Sequence, residues 1–418
     1  MKKEFKNIII ISFLFPPYNQ IGARRAYFFS KYLTLLGHKV TVITSELPNE
    51  FSKWNVDTSF LDIIRLPIIN MNLIKQFQKN SRVITFFNTI FSPLEAAKRI
   101  STANLNFDKI STPDFIIATG GPWHIFELGT SIKNKFKNSK LIFDYRDAWT
   151  LYNKEVGIDS LNNFGKGIGK IKEVLMKKKE KKLLSSADAV ISITRPVLEN
   201  VILNPRNKKG IKNEVIYNGF ESFILNKIIK KEKFLIVYPG TIRKEQEHEI
   251  FLKGYKLFLD DPNVNSSLVD CYFIGSDHPK LQKLLLPFKR FSYQNNLKVT
   301  ELIDNEMALN YQKKSSVLLN FGYTGKKGIM SGKIFEYLAI QENILVISKE
   351  HDVMEELVRK TGSGKTANSA DSVYNILLDW YNEFIAKGYV EYKVNLDEVN
   401  FYKFENQVKI LNKFLKKI

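Results

Sequence analysis

The chain has 418 residues, is 44% hydrophobic and 25% charged, and carries a formal net charge of +20. That length exceeds what a single core usually holds, so two domains are expected, and the composition is that of a globular protein rather than a disordered or fibrous one. The single cysteine, Cys271, excludes a disulfide within the chain and fits a cytoplasmic compartment, while no stretch approaches the roughly 20 apolar residues of a membrane span.

The first residues, MKKEFKNIIIISFLFPP, imitate a secretion signal, with lysines ahead of an apolar run. The run is short and reaches Pro16-Pro17 without a small-residue cleavage site, so it reads as a buried parallel strand over Ile8–Phe15. A helix over Ala23–Leu36 follows, stopped by Gly37, and then a strand over Val40–Thr44. Phe115–Ala118, Leu141–Phe143, Ala189–Ile193 and Val215–Tyr217 are short, rich in β-branched residues and bounded by turn or polar residues, as fully buried parallel strands are. Residues 166–185 form a lysine-rich helix. After a charged linker, Lys227–Lys233, a second series begins, with strands over Phe234–Tyr238, Cys271–Ile274, Val317–Asn320 and Ile344–Ile347. Two successive βα series imply an α/β protein of two Rossmann-like domains facing a cleft. The last segment, Asn400–Ile418, repeats Phe401, Phe404, Val408, Leu411 and Phe414 or Leu415 at helical spacing, which predicts one separate amphipathic helix.

Charge is unevenly placed. Residues 1–215 hold 34 Lys and Arg against 18 Asp and Glu, a difference of +16, and the remainder 29 against 25, a difference of +4. A basic surface attracts nucleic acid, anionic lipid or phosphorylated substrates; a plain solvated lysine face is the alternative. Lys177, Lys178, Lys179, Lys181 and Lys182 share one helix near Leu175 and Met176. Phe86, Phe87, Ile90 and Phe91 form an apolar cluster that either touches lipid or belongs to an ordinary core.

In open α/β sheets, ligands bind beyond the carboxyl ends of the strands, and the motifs fall there. After the first strand comes PPYNQIGARR, where Gly22 lets a ligand approach a helix N-terminus or simply turns the chain. Of Arg24 and Arg25, one is expected in solvent and the other functional or packed. No GxGxxG is present. TGGPWH, with Gly121, Trp123 and His124, makes an open loop after the next strand; a lone histidine there is structural or part of a site. DYRDAW brings Asp144, Arg146, Asp147 and Trp149 to another carboxyl end, either as a site or as an Asp–Arg pair anchoring the loop. Arg243 and Lys244 in TIRKEQE lie near a helix start, where anions bind well.

The richest stretch is FGYTGKKGIMSGKIFEY. Gly322, Gly325, Gly328 and Gly332, together with Lys326, Lys327 and Lys333, make a phosphate cradle ahead of a helix. That helix is apolar almost all round, yet Lys333 and Glu336 share one face. A carboxylate cannot serve an anion, but it accepts hydrogen bonds from sugar hydroxyls, so the pair fits a nucleotide; an i,i+3 ion pair is the alternative. GSGKT at Gly362–Thr366 lacks the P-loop glycine five places before Gly364, where Arg359 stands, and reads as a loop before a helix. No His, Cys and carboxylate set has metal spacing, and Asp260-Asp261 lie in a turn with Pro262, so neither a metal nor a cofactor is expected.

The ordered set PPYNQIGARR, KYLTLLGHKVTVIT, LIFDYRDAWT, SADAVISIT, VIYNGF, YPGTIRKEQ and SGKIFEYLAI resembles the retaining family-four glycosyltransferases of GT-B fold, in particular bacterial members that build surface polysaccharides. The resemblance implies an acceptor-binding domain over residues 1–222, with a helix over 400–418 crossing back to it, and a donor-binding domain over 223–399. It implies a nucleotide-diphosphate sugar as donor and an acceptor glycan or lipid-linked saccharide, with a cytoplasmic location, peripheral on the inner membrane face. Lys333, Arg243 and Lys244 would meet the diphosphate, Glu336 the ribose, and Gly22 would let the first domain's loop close on the diphosphate. His124 would lie near the reacting sugar as a positioning group, with Asp147 a second candidate for the catalytic site. Arg24, Gly121, Trp123 and Arg146 would face the acceptor. Many relatives carry a sugar-contacting carboxylate eight residues before the one matching Glu336; Gly328 stands there in this chain. A nucleotide-sugar-binding but inactive relative therefore remains an alternative. A nucleic-acid-binding protein is suggested by charge alone, without interleaved basic and aromatic readout motifs, and no nucleic acid partner is expected.

Overall fold

A computed structural model describes residues 5–19, 21–46, 54–69, 99–101, 105–147, 163–203, 210–224, 230–243, 245–276 and 296–418. Phe86, Phe87, Ile90, Phe91, Trp149 and Lys244 lie outside the described residues. The chain divides into two compact units, Met1–Asn218 with Phe404–Ile418, and Gly219–Lys403.

The first unit is built on seven parallel strands, β1 (Asn7–Ser12), β2 (Lys39–Ser45), β3 (Asp62–Leu66), β6 (Phe115–Thr119), β7 (Lys140–Tyr145), β8 (Ala189–Ser192) and β9 (Lys212–Val215). Their order is β3-β2-β1-β6-β7-β8-β9, and a small antiparallel pair, β4 (Ile68–Ile69) and β5 (Arg99–Ile100), stands apart. Strand β1 is central, with Ile10 opposite both Val42 and Ile117. Covered on both faces, Ile8 to Ile11 are at most 2% exposed. Burial on both faces is what a strand so apolar requires outside a membrane. Helix α1 (Ile21–Leu35) and the last helix of the chain, Phe404–Leu415, cover one face, where Phe28 stacks on Phe404 with ring centroids 4.2 Å apart. On the other face lies α2 (His124–Lys135), with Phe126 stacked on Phe143. Two more helices of this unit, α3 (Asn163–Leu184) and α4 (Arg195–Ile202), lie among the described residues.

The second unit has six parallel strands, β10 (Phe234–Pro239), β11 (Val269–Ile274), β12 (Leu297–Thr300), β13 (Val317–Phe321), β14 (Asn343–Ile347) and β15 (Gly364–Ala367), in the order β12-β11-β10-β13-β14-β15. Its helices are α5 (His248–Asp260), α6 (Asn305–Lys314), α7 (Gly332–Ile340), α8 (Val353–Thr361), α9 (Ala370–Lys387) and α10 (Leu396–Phe401); the helix over Phe404–Leu415 is then α11. An aromatic core of Phe234, Phe251, Tyr255, Phe258, Tyr381 and Phe384 fills the space between β10 and helices α5 and α9. Helix α9 starts with a capping box, Ser369 and Ser372 bonding each other's backbone, and ends at Gly388 with φ of 81°.

Several elements differ from the sequence expectation. Strands β3, β12 and β15 were not expected; each is an edge strand and only partly buried, so none shows a continuous apolar run. Strand β9 lies at Lys212–Val215, ahead of the predicted Val215–Tyr217. GSGKT is not a loop before a helix. Gly362, with φ of 67°, ends α8, and Gly364–Ala367 forms the edge strand β15. The final segment is two helices rather than one, broken at Tyr402-Lys403, where Lys403 forms a bridge with Phe220. The spacing of Phe404, Val408, Leu411, Phe414 and Leu415 does mark the buried face of α11, while Phe401 is 40% exposed on α10.

Candidate functional site

Strand order in the second unit reverses between β10 and β13, which makes their carboxyl ends the switch point where an open parallel sheet binds ligands. Helix α7 starts there. Ser331 is its N-cap in extended backbone, and Gln341 ends it in the left-handed region at φ of 66°. Ile334, Phe335, Tyr337, Leu338, Ala339 and Ile340 are buried, and the Tyr337 hydroxyl donates to the Leu319 carbonyl at 2.9 Å. Lys333 and Glu336 stand on the half-buried remainder of the helix, so the polar notch read from the sequence is present.

Lys333 is tightly placed. A Cβ added at Gly240 would fall 2.7 Å from its Cε and 2.8 Å from its Nζ. Its Nζ sits 5.0 Å from the centre of the Tyr238 ring, a cation–π arrangement. Burial lowers the Lys333 pKa, the Arg243 charge lowers it further, and the Glu336 charge opposes both. These three side chains therefore sense one another in one electrostatic field. Tyr238 lies beneath, its hydroxyl directed to Gln246 Oε1 at 3.4 Å and its pKa pushed up to about 12 by burial. No acidic residue stands in the first turn of α7, and the Ser331 hydroxyl makes no capping bond to it, so the positive end of the helix dipole is not neutralised from within.

The loops around the notch are held by side chains from distant parts of the sequence. Gln246 Oε1 accepts from the Arg243 N–H at 2.8 Å, and Gln246 pairs with Tyr323 in an antiparallel bridge. The buried Glu247 carboxylate accepts from Thr324 Oγ1 at 3.2 Å and from the Lys349 N–H, joining three loops. The Ser276 hydroxyl donates to the Gly240 carbonyl at 2.6 Å and Thr241 Oγ1 to the Gly275 carbonyl at 3.1 Å. In the glycine–lysine loop, Gly325 and Gly328 have φ of 71° and 84°, a region that favours glycine. The Gly328 N–H donates to both oxygens of Asp352, at 2.8 and 3.0 Å. Sequence reading did not single out Tyr238, Gln246, Glu247 or Asp352. Their one visible signal is position, each at or just beyond the carboxyl end of an apolar strand.

In the first unit the order reverses between β1 and β6, and the segments that follow these strands carry Gly22, Gly121, Trp123 and His124. Gly22 is buried in α1, and a Cβ there would lie 2.9 Å from Leu14 Cδ1 and 3.0 Å from Arg146 Nη2. The guanidinium of Arg146 also donates to the Gly22 carbonyl at 3.2 Å. The space left by the missing side chain is thus filled by Arg146, rather than standing open to a ligand. Arg146 has its pKa lowered by burial, against the opposing charges of Asp147 and Asp144; Asp147 is exposed. Arg25 is the packed arginine, 2% exposed, with Nε and Nη2 each 2.8 Å from the Asp144 carboxylate and Nη1 2.8 Å from the Ile216 carbonyl. Arg24 is half-buried, with its guanidinium 5.7 Å from the Trp54 ring.

TGGPWH is less open than expected. Gly121 has φ of 91°, but the Trp123 ring is buried against Phe126 and Tyr145. His124, the first residue of α2, is 5% exposed, and its Nε2 lies 3.3 Å from the Ile100 N–H, which fixes Nε2 as an acceptor and places the ring proton on Nδ1. Among the described residues, no group of three or more His, Cys, Asp or Glu is placed to hold a metal ion.

No protein-family model matches the sequence, and no protein of curated function matches it. Solved structures do match in fold over the whole chain. Sucrose-phosphate synthase from Thermosynechococcus elongatus aligns with a TM-score of 0.62 at 13% identity, covering 99% of this chain and 98% of that one. Anabaena HepE in complex with UDP and glucose aligns with a TM-score of 0.59 at 11% identity, covering 99% and 100%. An E. coli protein described as trehalose-6-phosphate, bound with UDP-2-fluoro glucose, gives 0.59 at 12% identity and 99% of each chain. The two parallel-sheet α/β units therefore make up the GT-B architecture expected from the sequence.

Proposed function

We propose that this protein is a retaining glycosyltransferase that moves a sugar, a hexose or a derivative of one, from a nucleoside-diphosphate donor to an acceptor hydroxyl. The observation that carries the reading is the Lys333–Glu336 notch on an otherwise buried helix at the β10/β13 switch point, with Lys333 seated against Gly240. A cation and a helix N-terminus suit a diphosphate, and a carboxylate one turn along suits ribose hydroxyls. The bound UDP and glucose of the HepE structure and the UDP-2-fluoro glucose of the E. coli structure support a nucleotide sugar as the donor.

In this scheme the bond from the sugar's anomeric carbon to the diphosphate oxygen breaks, and negative charge builds on the leaving diphosphate. Lys333, Arg243 and the N–H donors at the start of α7 stabilise that charge; Lys244 is assigned the same task by its place in the sequence. The leaving phosphate takes the acceptor's proton on the same face of the sugar, which gives retention without a protein nucleophile. Glu336 orients the nucleoside. Arg24, Gly121 and Arg146 are assigned to the acceptor side, where Trp123 acts through packing; His124 is assigned to positioning, and Asp147 is a second candidate for the catalytic site. Release of nucleoside diphosphate from a panel of sugar nucleotides, with wild type and Glu336→Ala, tests the reading. Wild type is expected to cleave one donor class slowly, and the variant to do so about tenfold more slowly at limiting donor. Absence of both binding and cleavage for every donor would refute it.

For the acceptor we propose a glycan or lipid-linked saccharide of cell-surface polysaccharide or glycolipid synthesis, met at an anionic membrane face on the cytoplasmic side. On α3, Lys178, Lys181 and Lys182 are exposed beside Val174 and Leu175, each 51% exposed. Among the described residues no helix is long and apolar enough to cross a membrane, and the attachment we propose is peripheral. Sedimentation with anionic vesicles but not with neutral ones is the expected result, and equal partition would count against it.

A further inference from the structure

The glycine–lysine loop between β13 and α7 contains a carboxylate that does not belong to it in sequence. Asp352 comes from the loop after β14, precedes the first residue of α8, and holds the Gly328 N–H with both oxygens at 2.8 and 3.0 Å. It is half-buried, and burial raises its pKa against the pull of the Gly328 and Val353 N–H groups and the Lys327 charge. A partly desolvated carboxylate beside lysines is a poor fit to a loop whose sole task is to bind an anion, because it cancels part of the field that attracts the phosphate.

An ionised carboxylate offers about four acceptor sites, and the two backbone N–H groups leave acceptor capacity for further donors. Neutral polyol groups are donors of that kind. Gly328 lies three residues before the Ser331 cap of α7. On the donor-binding reading, a sugar carried on a diphosphate at that helix end would lie beside this loop.

We propose that Asp352 is a specificity-determining residue for the donor, its carboxylate accepting hydrogen bonds from hydroxyls of the transferred sugar while the Gly328 N–H fixes its position. This rests on the donor-binding reading above and adds to it the side chain that reads the sugar rather than the nucleoside diphosphate. It also supplies, from the loop after β14, a carboxylate at the place where the chain itself has Gly328.

The test separates a sugar contact from a loop clamp. Asp352→Asn keeps an acceptor for the Gly328 N–H but weakens the group that would meet the sugar. Wild type is first titrated with UDP-, GDP-, TDP- and ADP-hexoses and the corresponding free diphosphates, and the base that binds is carried forward. In Asp352→Asn, affinity for the free diphosphate is expected to stay within about twofold, while affinity for the sugar nucleotide falls about tenfold. Equal retention of both ligands, or an equal loss of both, would overturn the proposal and leave the donor reading standing. Failure of wild type to bind any of the nucleotides would remove the donor reading itself, and this inference with it. A second measurement uses wild type alone, with donors lacking single sugar hydroxyls. At least one deletion is expected to weaken binding about tenfold, and uniform affinity across the series would overturn the proposal.

Discussion

Alanine at Gly240 puts the donor site under the most direct steric test. The new Cβ would stand 2.7 Å from Lys333 Cε and 2.8 Å from Nζ. Carbon atoms rest about 3.5–4.0 Å apart, so the lysine tip must retreat by about 1 Å. Because that tip is the flexible end of its side chain, it moves while the backbone stays. The φ of 116° at Gly240 adds backbone strain, of about 1–3 kcal/mol for a residue with a side chain. Displacing Nζ costs a charge-assisted contact with phosphate, about 1.5–3 kcal/mol, or roughly 10–100-fold in affinity. Titration calorimetry with the preferred nucleoside diphosphate, run beside thermal melting, separates the two effects. Gly240→Ala is expected to bind at least about tenfold more weakly and to melt a few degrees lower. Lys333→Met is expected to lose similar affinity without the strain, since it removes a half-buried charge and leaves glycine in place. A folded Gly240→Ala protein that binds within about threefold of wild type would refute the placement of Lys333 at the ligand.

Three further outcomes follow from the same geometry. Burial lowers the Lys333 pKa below its ordinary 10.5. Its charged form therefore costs stability below that lowered pKa, the cost is relieved as pH rises toward 10.5, and diphosphate affinity falls over the same rise. Dissociation constants measured across alkaline pH should show this fall in wild type and not in Lys333→Arg; a fall identical in both would assign it to another group. Glu336→Ala should weaken a nucleoside diphosphate about tenfold and leave inorganic pyrophosphate unaffected, and equal losses on both ligands would contradict a ribose contact. Arg25→Ala leaves Asp144 buried without its bidentate partner, and should cost about 3–5 kcal/mol in chemical denaturation; a loss below about 1 kcal/mol would show that the pair is not a keystone of the first unit.

Legibility in the sequence followed burial. The central strands β1, β6, β7, β10, β11, β13 and β14 are covered on both faces, and their apolar runs announced them. The edge strands β3, β12 and β15 expose one side or more, so their residues alternate or turn polar and the pattern disappears. The same contrast holds at the candidate site. Lys333 and Glu336 were conspicuous because six of the nine residues in their helix are buried and apolar or aromatic. Glu247 and Asp352 are ordinary acids in sequence, and their places depend on partners 102 and 24 residues away. Gly22 was expected to leave room for a ligand or to turn the chain, and the neighbours that a side chain there would meet are Leu14 and Arg146. Periodicity tells where a chain is crowded; it does not tell which distant side chain does the crowding.

The central claim is that the second unit binds a nucleoside-diphosphate sugar through Lys333. Its most direct test is calorimetric titration of the full chain and of Lys333→Met with UDP-, GDP-, TDP- and ADP-sugars. The account predicts saturable binding of at least one base class by wild type, and affinity lower by about tenfold or more in the variant. No binding by wild type, or equal binding by both proteins, would contradict it.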